Sequence, residues 1–450
     1  MATTGVRSAV RICYPVNPAN RRYRATRRPW RLSFWLACMG LILYLLMSNN
    51  FLVSWGIPYD TPGGAFIFKL HPGTYLISLG FMLLFFQGSP RARWSELFTN
   101  AAAPLLLAAV VIGILIYTLI RFGPSGNAFF IDSLLAPALL AVVLLDSPLP
   151  ARRFVFWVIL VLLTINALLA VGEAVTGWRL TPYMSGDQPI IDDYFRSTAL
   201  GGHPLNNAVR TSMFLITCLI LPRLLILFLI PLLVAALMTF GGRTALILSL
   251  LVLMAWGSYH FIHGIVRRTF DVRLIFGLIF IAVILGGSVV GLTMGLGLGG
   301  RIFENLAWDD SAQSRILIFK AFEYVRMDEW LWGMGPARIL EIEDILRAST
   351  SLSYLENFWL QLLMYLGLIW FFLLSSTLLG LIASLTWRAP SPLNLSAGLF
   401  LVLISTNNSL AVKSQDLAIF VAHLIGSVAE AEVRSRQLRH TSKVSRRDAL

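Results

Sequence analysis

Apolar residues run through this chain in long blocks rather than in alternation. Twelve blocks fall at about 32–48, 70–86, 103–120, 129–145, 154–172, 206–221, 224–240, 244–261, 274–296, 357–385, 394–410 and 415–428. A membrane-spanning helix needs about 20 mostly apolar residues, whereas a barrel strand alternates over about ten. The pattern therefore predicts an all-α, polytopic transmembrane bundle of about twelve spans. Most connections between blocks are short, and two are long, at about 172–205 and 297–356.

The second long connection carries a helical pattern of its own. Asp310 and Ser311 can cap a helix over 312–329 that places Ile318, Phe319, Phe322 and Val325 on one face. Gly333-Met334-Gly335-Pro336 ends it, and a second amphipathic helix follows with Ile339, Ile342 and Leu346 opposite Glu341, Glu343 and Asp344. The segment reads either as a catalytic lid or as a structured cap on the bundle.

Composition agrees with a membrane class: 57% of residues are hydrophobic and 13% charged, with a mean hydropathy of +0.74. Charge then orients the chain. With the N-terminus cytoplasmic, the basic residues of 7–31, those after 430, and Arg91, Arg93, Arg152, Arg153, Arg223, Arg267, Arg268, Arg273 and Arg388 all fall on the inner side. Residues 1–31 and 429–450 are then basic cytoplasmic tails around a bundle at 32–428. The tails are read as anchors for anionic membrane lipid in preference to a transit peptide or a nucleic-acid patch. The block at 32–48 is too long for a cleavable signal and lacks a small-residue site after it. Cys13, Cys38 and Cys218 form neither a disulfide framework nor a metal motif, and no cofactor or metal is expected.

Candidate chemistry gathers on the outer side. The stretch YFRSTALGGHPLNNA (194–208) holds Arg196 and His203 just before a block that carries Arg210. Phe240-Gly-Gly-Arg-Thr244 places Arg243 at a turn, Arg315 lies at the start of the expected 312–329 helix, and Glu356-Asn357 closes the long connection. Arginine stays charged and grips phosphate oxygens with a planar fork, and a carboxylate can take a proton from a sugar hydroxyl. Each residue also has a plainer role. Arg196 can pair with Asp192 or Asp193, His203 before Pro204 can cap a turn, Glu356 followed by Asn357 can cap a helix, and Arg210 and Arg243 can anchor at the interface. A polar turn at Ser405-Thr-Asn-Asn-Ser409 with Lys413 reads as an ordinary loop or as part of a sugar site.

Four stretches carry a resemblance: FRSTALGGHPLNNA, FGGRTALILSLLVL, RIFENLAWDDSAQSRILIFKAFEYVRMDEWLWGMGPARI and YLENFWLQLLMYLGLIWFFLL. In this order they resemble the O-antigen ligase and O-antigen polymerase superfamily of bacterial envelope enzymes, over residues 160–385. The resemblance implies a metal-independent, inverting transfer of undecaprenyl-diphosphate-linked glycan on the periplasmic face of the inner membrane. Arg196, Arg243 and Arg315 would then bind the diphosphate and its neighbouring sugar, with His203, Arg210 and Asn357 near the substrate. Glu356 would be the base, where ligases commonly carry histidine, which favours an exopolysaccharide polymerase over a ligase. A flippase and a chain-length regulator follow as partners from the resemblance alone. A transporter or flippase is the alternative from another class, and it would bury ionisable groups near the bilayer midplane.

Overall fold

A computed structural model of the chain describes residues 31–60, 64–86, 89–185, 188–189, 195–266, 287, 291, 317–349, 355, 357–406 and 413–447. Its helices are Leu32–Leu46 (α1), Asn49–Ser54 (α2), Pro72–Phe85 (α3), Pro90–Phe122 (α4), Asn127–Asp146 (α5) and Leu149–Thr176 (α6). Pro204–Thr217 (α7), Arg223–Phe240 (α8), Arg243–Val266 (α9), Met327–Trp332 (α10), Pro336–Ser349 (α11), Phe358–Thr386 (α12), Ser391–Ile404 (α13) and Asp416–Arg447 (α14) follow. A two-residue antiparallel pair, Met184–Ser185 with Gln188–Pro189, is the strand structure among the described residues.

Local chemistry sets many of these boundaries. Ser48, His71, Ser89, His203 and Asn357 each accept a backbone N–H of the helix they precede, and α3, α4 and α7 open on a proline whose missing N–H costs nothing there. Gly177 and Gly241 end α6 and α8 in the left-handed conformation. Pro104 lies inside α4, and the helix breaks three residues earlier at Ala101.

Among the described residues, six helices (α4, α5, α6, α8, α9 and α12) are long and apolar enough to cross a membrane, and α1, α3 and α13 are shorter apolar helices. Their outward faces carry large apolar side chains. Leu106, Ile112 and Ile116 on α4 and Leu251 and Met254 on α9 are all exposed. Apolar exposure on this scale suits lipid and not water. The chain has the build of a multi-pass membrane protein. The expected block at 274–296 lies outside the described residues.

Three helices depart from the pattern. α4 begins thirteen residues before the block expected at 103. The weakest expected block, 415–428, is the bundle's centre: every residue from Ser414 to Ser427 is buried, and α14 continues through Arg447 rather than stopping at 428. The helix expected at 312–329 is divided where it is described, into a 3-10 turn at Ile318–Tyr324 and α10. Ile342 and Leu346 of α11 are buried as expected, but so is Glu343, which accepts a hydrogen bond from the Leu355 N–H at 3.1 Å.

Acids and arginines assigned to one side of the membrane do meet at one end of the bundle. Arg93 on α4 pairs with Asp146 and Glu96, and Arg31 reaches Asp146 at 3.3 Å. Arg153 and Arg434 each hold the buried Glu430 at 2.6 Å. We call this the Asp146 end, and the opposite one the Glu173 end.

Candidate functional site

Asn166 and Glu173 lie seven residues apart on α6, so they share one helix face. Gly177 ends the helix immediately beyond, and residues 180–183 and 195–203 lie over that face. Glu173 is buried and accepts from the Leu180 N–H at 2.7 Å, the Ser197 hydroxyl at 2.6 Å, and the Thr198 and Ala199 N–H groups at 3.0 Å each. Asn166 accepts from the Leu200 N–H at 2.9 Å, while the Asn207 amide donates to the Thr198 carbonyl at 2.7 Å. One carboxylate and two amides thus hold a turn that has no regular structure of its own.

Gly202 is the point where this turn meets α2. Its φ is +69°, and a Cβ there would stand 2.3 Å from the Ser48 hydroxyl, so glycine is required on both counts. The Gly202 carbonyl accepts from Asn50 at 2.7 Å.

The turn presents two of the expected residues together. Half-buried Arg196 lies over the Tyr183 ring at 5.1 Å and donates to its hydroxyl at 3.2 Å. His203 meets the same ring edge-on at 5.5 Å while capping α7 through the Leu205 N–H. The Arg196 side chain also rests on Gly241, where a Cβ would lie 3.1 Å from its Cδ, and Ser197 donates to the Thr239 carbonyl at 3.0 Å. Arg243 starts α9 two residues later. The structure therefore joins Arg196 and His203 at Tyr183, and packs the Gly241 turn that precedes Arg243 against Arg196.

Other expected site residues are placed differently. Arg210 is neither at the mouth nor a snorkelling anchor: it is buried in the bundle, with Nε 2.5 Å from Asp416 Oδ1. A guanidinium one and a half turns inside α7 cannot reach the interface past its own neighbours, so it takes a carboxylate partner there. Asn357 caps α12 through the Leu360 N–H and donates to the Ser405 carbonyl at 3.1 Å. Glu356 and Arg315 lie outside the described residues.

The lid helices dock on this same end. Gly333 and Gly367 cross backbone to backbone, since a Cβ on Gly367 would lie 2.4 Å from the Gly333 nitrogen, and the Met334 N–H donates to the Met364 carbonyl at 2.9 Å. Gly367 has φ +70° and kinks α12 at the contact. Between the lid and the end of α4 lies an open cleft of about 460 Å³, lined by Arg121, Arg326 and Arg338 and by Asp328, Glu329 and Glu341.

A second buried polar network was not anticipated. Asp132, in a π-helical turn of α5, accepts from the Tyr59 hydroxyl and the Thr74 hydroxyl at 2.6 Å each and from the His71 N–H at 3.0 Å. Lys413 covers the Tyr59 ring at 4.4 Å and donates to the Tyr59 carbonyl at 2.5 Å. A charge inside an apolar block was the available signal. Among the described residues, no group of three or more His, Cys, Asp or Glu is placed to hold a metal ion. No protein-family model matches the chain, and neither a curated protein nor a solved structure does.

Proposed function

We propose that this protein polymerises undecaprenyl-diphosphate-linked oligosaccharide repeat units, in the bacterial inner membrane, at the Glu173 end facing the periplasm. In this reading about twelve spans place both termini in the cytoplasm. The observation that supports it is the meeting of Arg196 and His203 at Tyr183, with the Gly241 turn that leads to Arg243 packed on Arg196, on the end where the lid docks. Arginines there offset the negative charge that grows on the departing diphosphate. Glu356 takes the proton of an acceptor sugar hydroxyl, the freed oxygen bonds to the anomeric carbon with inversion, and the bond to the carrier diphosphate breaks. The acidic and basic walls of the lid cleft offer hydrogen bonds to the sugar chain.

The test is to incubate purified protein with a short undecaprenyl-diphosphate oligosaccharide and to size the products. Wild type should lengthen the glycan. Arg243→Ala and Glu356→Gln should remove at least ~99% of the rate while inserting and melting normally, as loss of a charge-stabilising group or a base does. Full-length polymer from both variants refutes the assignment. Cells lacking the protein should accumulate single repeat units on the carrier, whereas long carrier-linked chains would identify a ligase.

A second reading, transport of a lipid-linked or anionic solute, is favoured by the burial of Arg210, Asp416 and His423 inside the bundle. Movement of labelled carrier lipid across vesicles without any joining of glycan would establish it.

A further inference from the structure

Helix α14 crosses the centre of the bundle, and its buried polar residues fall on one side. Asp416, His423, Ser427 and Glu430 are spaced seven, four and three residues apart, which places them within one narrow face of a 3.6-residue helix. All four are at most 2% exposed. From Asp416 to Glu430 the rise is about 21 Å, most of a hydrocarbon core of about 30 Å.

Three of the four carry polar atoms with no partner among the described residues: Oδ2 of Asp416, both ring nitrogens of His423 and the hydroxyl of Ser427. A buried polar atom left unpaired is a cost that native structures almost always remove, and in lipid the cost is larger. A structural histidine would be expected to spend at least one nitrogen on a carbonyl or hydroxyl. Here the ring lies between Phe156 of α6 at 6.3 Å and Phe214 of α7 at 5.9 Å, and neither offers a hydrogen bond to its nitrogens. The ends of the row are charged. Arg210 of α7 holds Asp416 at one end, and Arg153 of α6 with Arg434 holds Glu430 at the other.

We propose that this face of α14 is a proton relay through the bundle, with His423 as its central station and water as the ligand that links the side chains. Water can donate and accept at once; a single molecule reaches about 5.6 Å, so one serves each of the shorter gaps of about 4.5 and 6 Å, and a file of two or three is needed over the gap of about 10.5 Å from Asp416 to His423. At His423 a hydronium gives its proton to one ring nitrogen, forming an N–H bond as its O–H bond breaks. The proton on the other nitrogen then passes to the next water, and the ring is neutral again. The carboxylate oxygen Oδ2 of Asp416 and the Ser427 hydroxyl extend the path to the two charged ends. Neither reading of the glycan chemistry is required for this proposal.

The test uses full-length protein in vesicles of phosphatidylethanolamine and phosphatidylglycerol, with a trapped pH dye and a potassium diffusion potential set by valinomycin. No glycan is added, so failure here leaves the glycan assignment untouched. Wild-type vesicles should acidify or alkalinise at least about tenfold faster than protein-free vesicles. His423→Leu should remove that excess, and Ser427→Ala should reduce it several-fold. His423→Leu replaces an unpaired ring by an apolar side chain, so its melting temperature should hold or rise. Ser375→Ala, which removes another unpaired hydroxyl, on α12 and not on α14, should leave the flux unchanged. Flux in wild type equal to that of protein-free vesicles, or undiminished in His423→Leu, overturns the relay.

Discussion

Two groups of carboxylates, toward opposite ends of the bundle, are satisfied in different ways. At the Asp146 end, arginines are matched to carboxylates: Arg93 and Arg31 to Asp146, Arg153 and Arg434 to Glu430. Toward the Glu173 end, Glu173 and Asp132 are instead satisfied by backbone N–H and hydroxyl groups. The first arrangement consumes cations to fasten helices. The second fastens loops with acids and leaves Arg196 bonded to a tyrosine hydroxyl on a half-buried surface. In the second arrangement the acid fixes the course of the backbone, and the Arg196 side chain is positioned by an aromatic ring and its hydroxyl.

Removing one acid from each end sharpens this contrast most. Glu173→Ala strips three buried donors and the part-buried Leu180 N–H of their acceptor, and at about 1–3 kcal/mol for each buried group left unpaired the total should be about 3 kcal/mol or more. Glu430→Ala should cost only about 1–2 kcal/mol, because Arg153 and Arg434 are partly exposed and can turn toward solvent or lipid headgroups. Thermal unfolding in detergent measures both, and equal losses would erase the distinction between the ends.

Gly202→Ala should have a smaller effect, about 1–3 kcal/mol, from a left-handed residue pressed on Ser48. Pairing it with Ser48→Gly should restore part of the loss, since the strain at φ remains after the contact is relieved. A full restoration would mean that the contact alone demands glycine.

The weakest effect belongs to the lid. Burial raises the Glu343 carboxyl above its ordinary range, against the opposing pull of the Leu355 N–H and Arg347. The folded lid then binds more protons than the open one over the window above that range. Its stability is present below the ordinary glutamate value and declines as pH rises through the raised one. Hydrogen exchange across 336–349, corrected for intrinsic rates, should show faster opening as pH rises through that window, and Glu343→Gln should flatten the trend.

Much of the bundle could be read from apolar blocks and from their punctuation by Ser, His, Pro and Gly, because those residues act within one turn of where they stand. The grouping of Arg31, Arg93 and Arg153 with Asp146 and Glu430 was legible from charge sidedness alone. The candidate site was legible only in part. Arg196 and His203 could be placed beside the Arg243 turn, but Tyr183 joins them by a chain reversal that no periodicity announces. Arg210 was misjudged because its partner lies 206 residues away in sequence. α14 was underrated for a related reason: Asp416 and His423 lower its mean hydropathy, yet burial against six other helices decides its place.

The Gly333–Gly367 crossing has a mechanical consequence. Two peptide planes in direct contact leave no side chain to slide or reorient between them, so the lid cannot swing about that point without separating from α12 altogether. Motion that admits a bulky chain must therefore come from bending on either side of the crossing, with the kinked helix carried along as one piece.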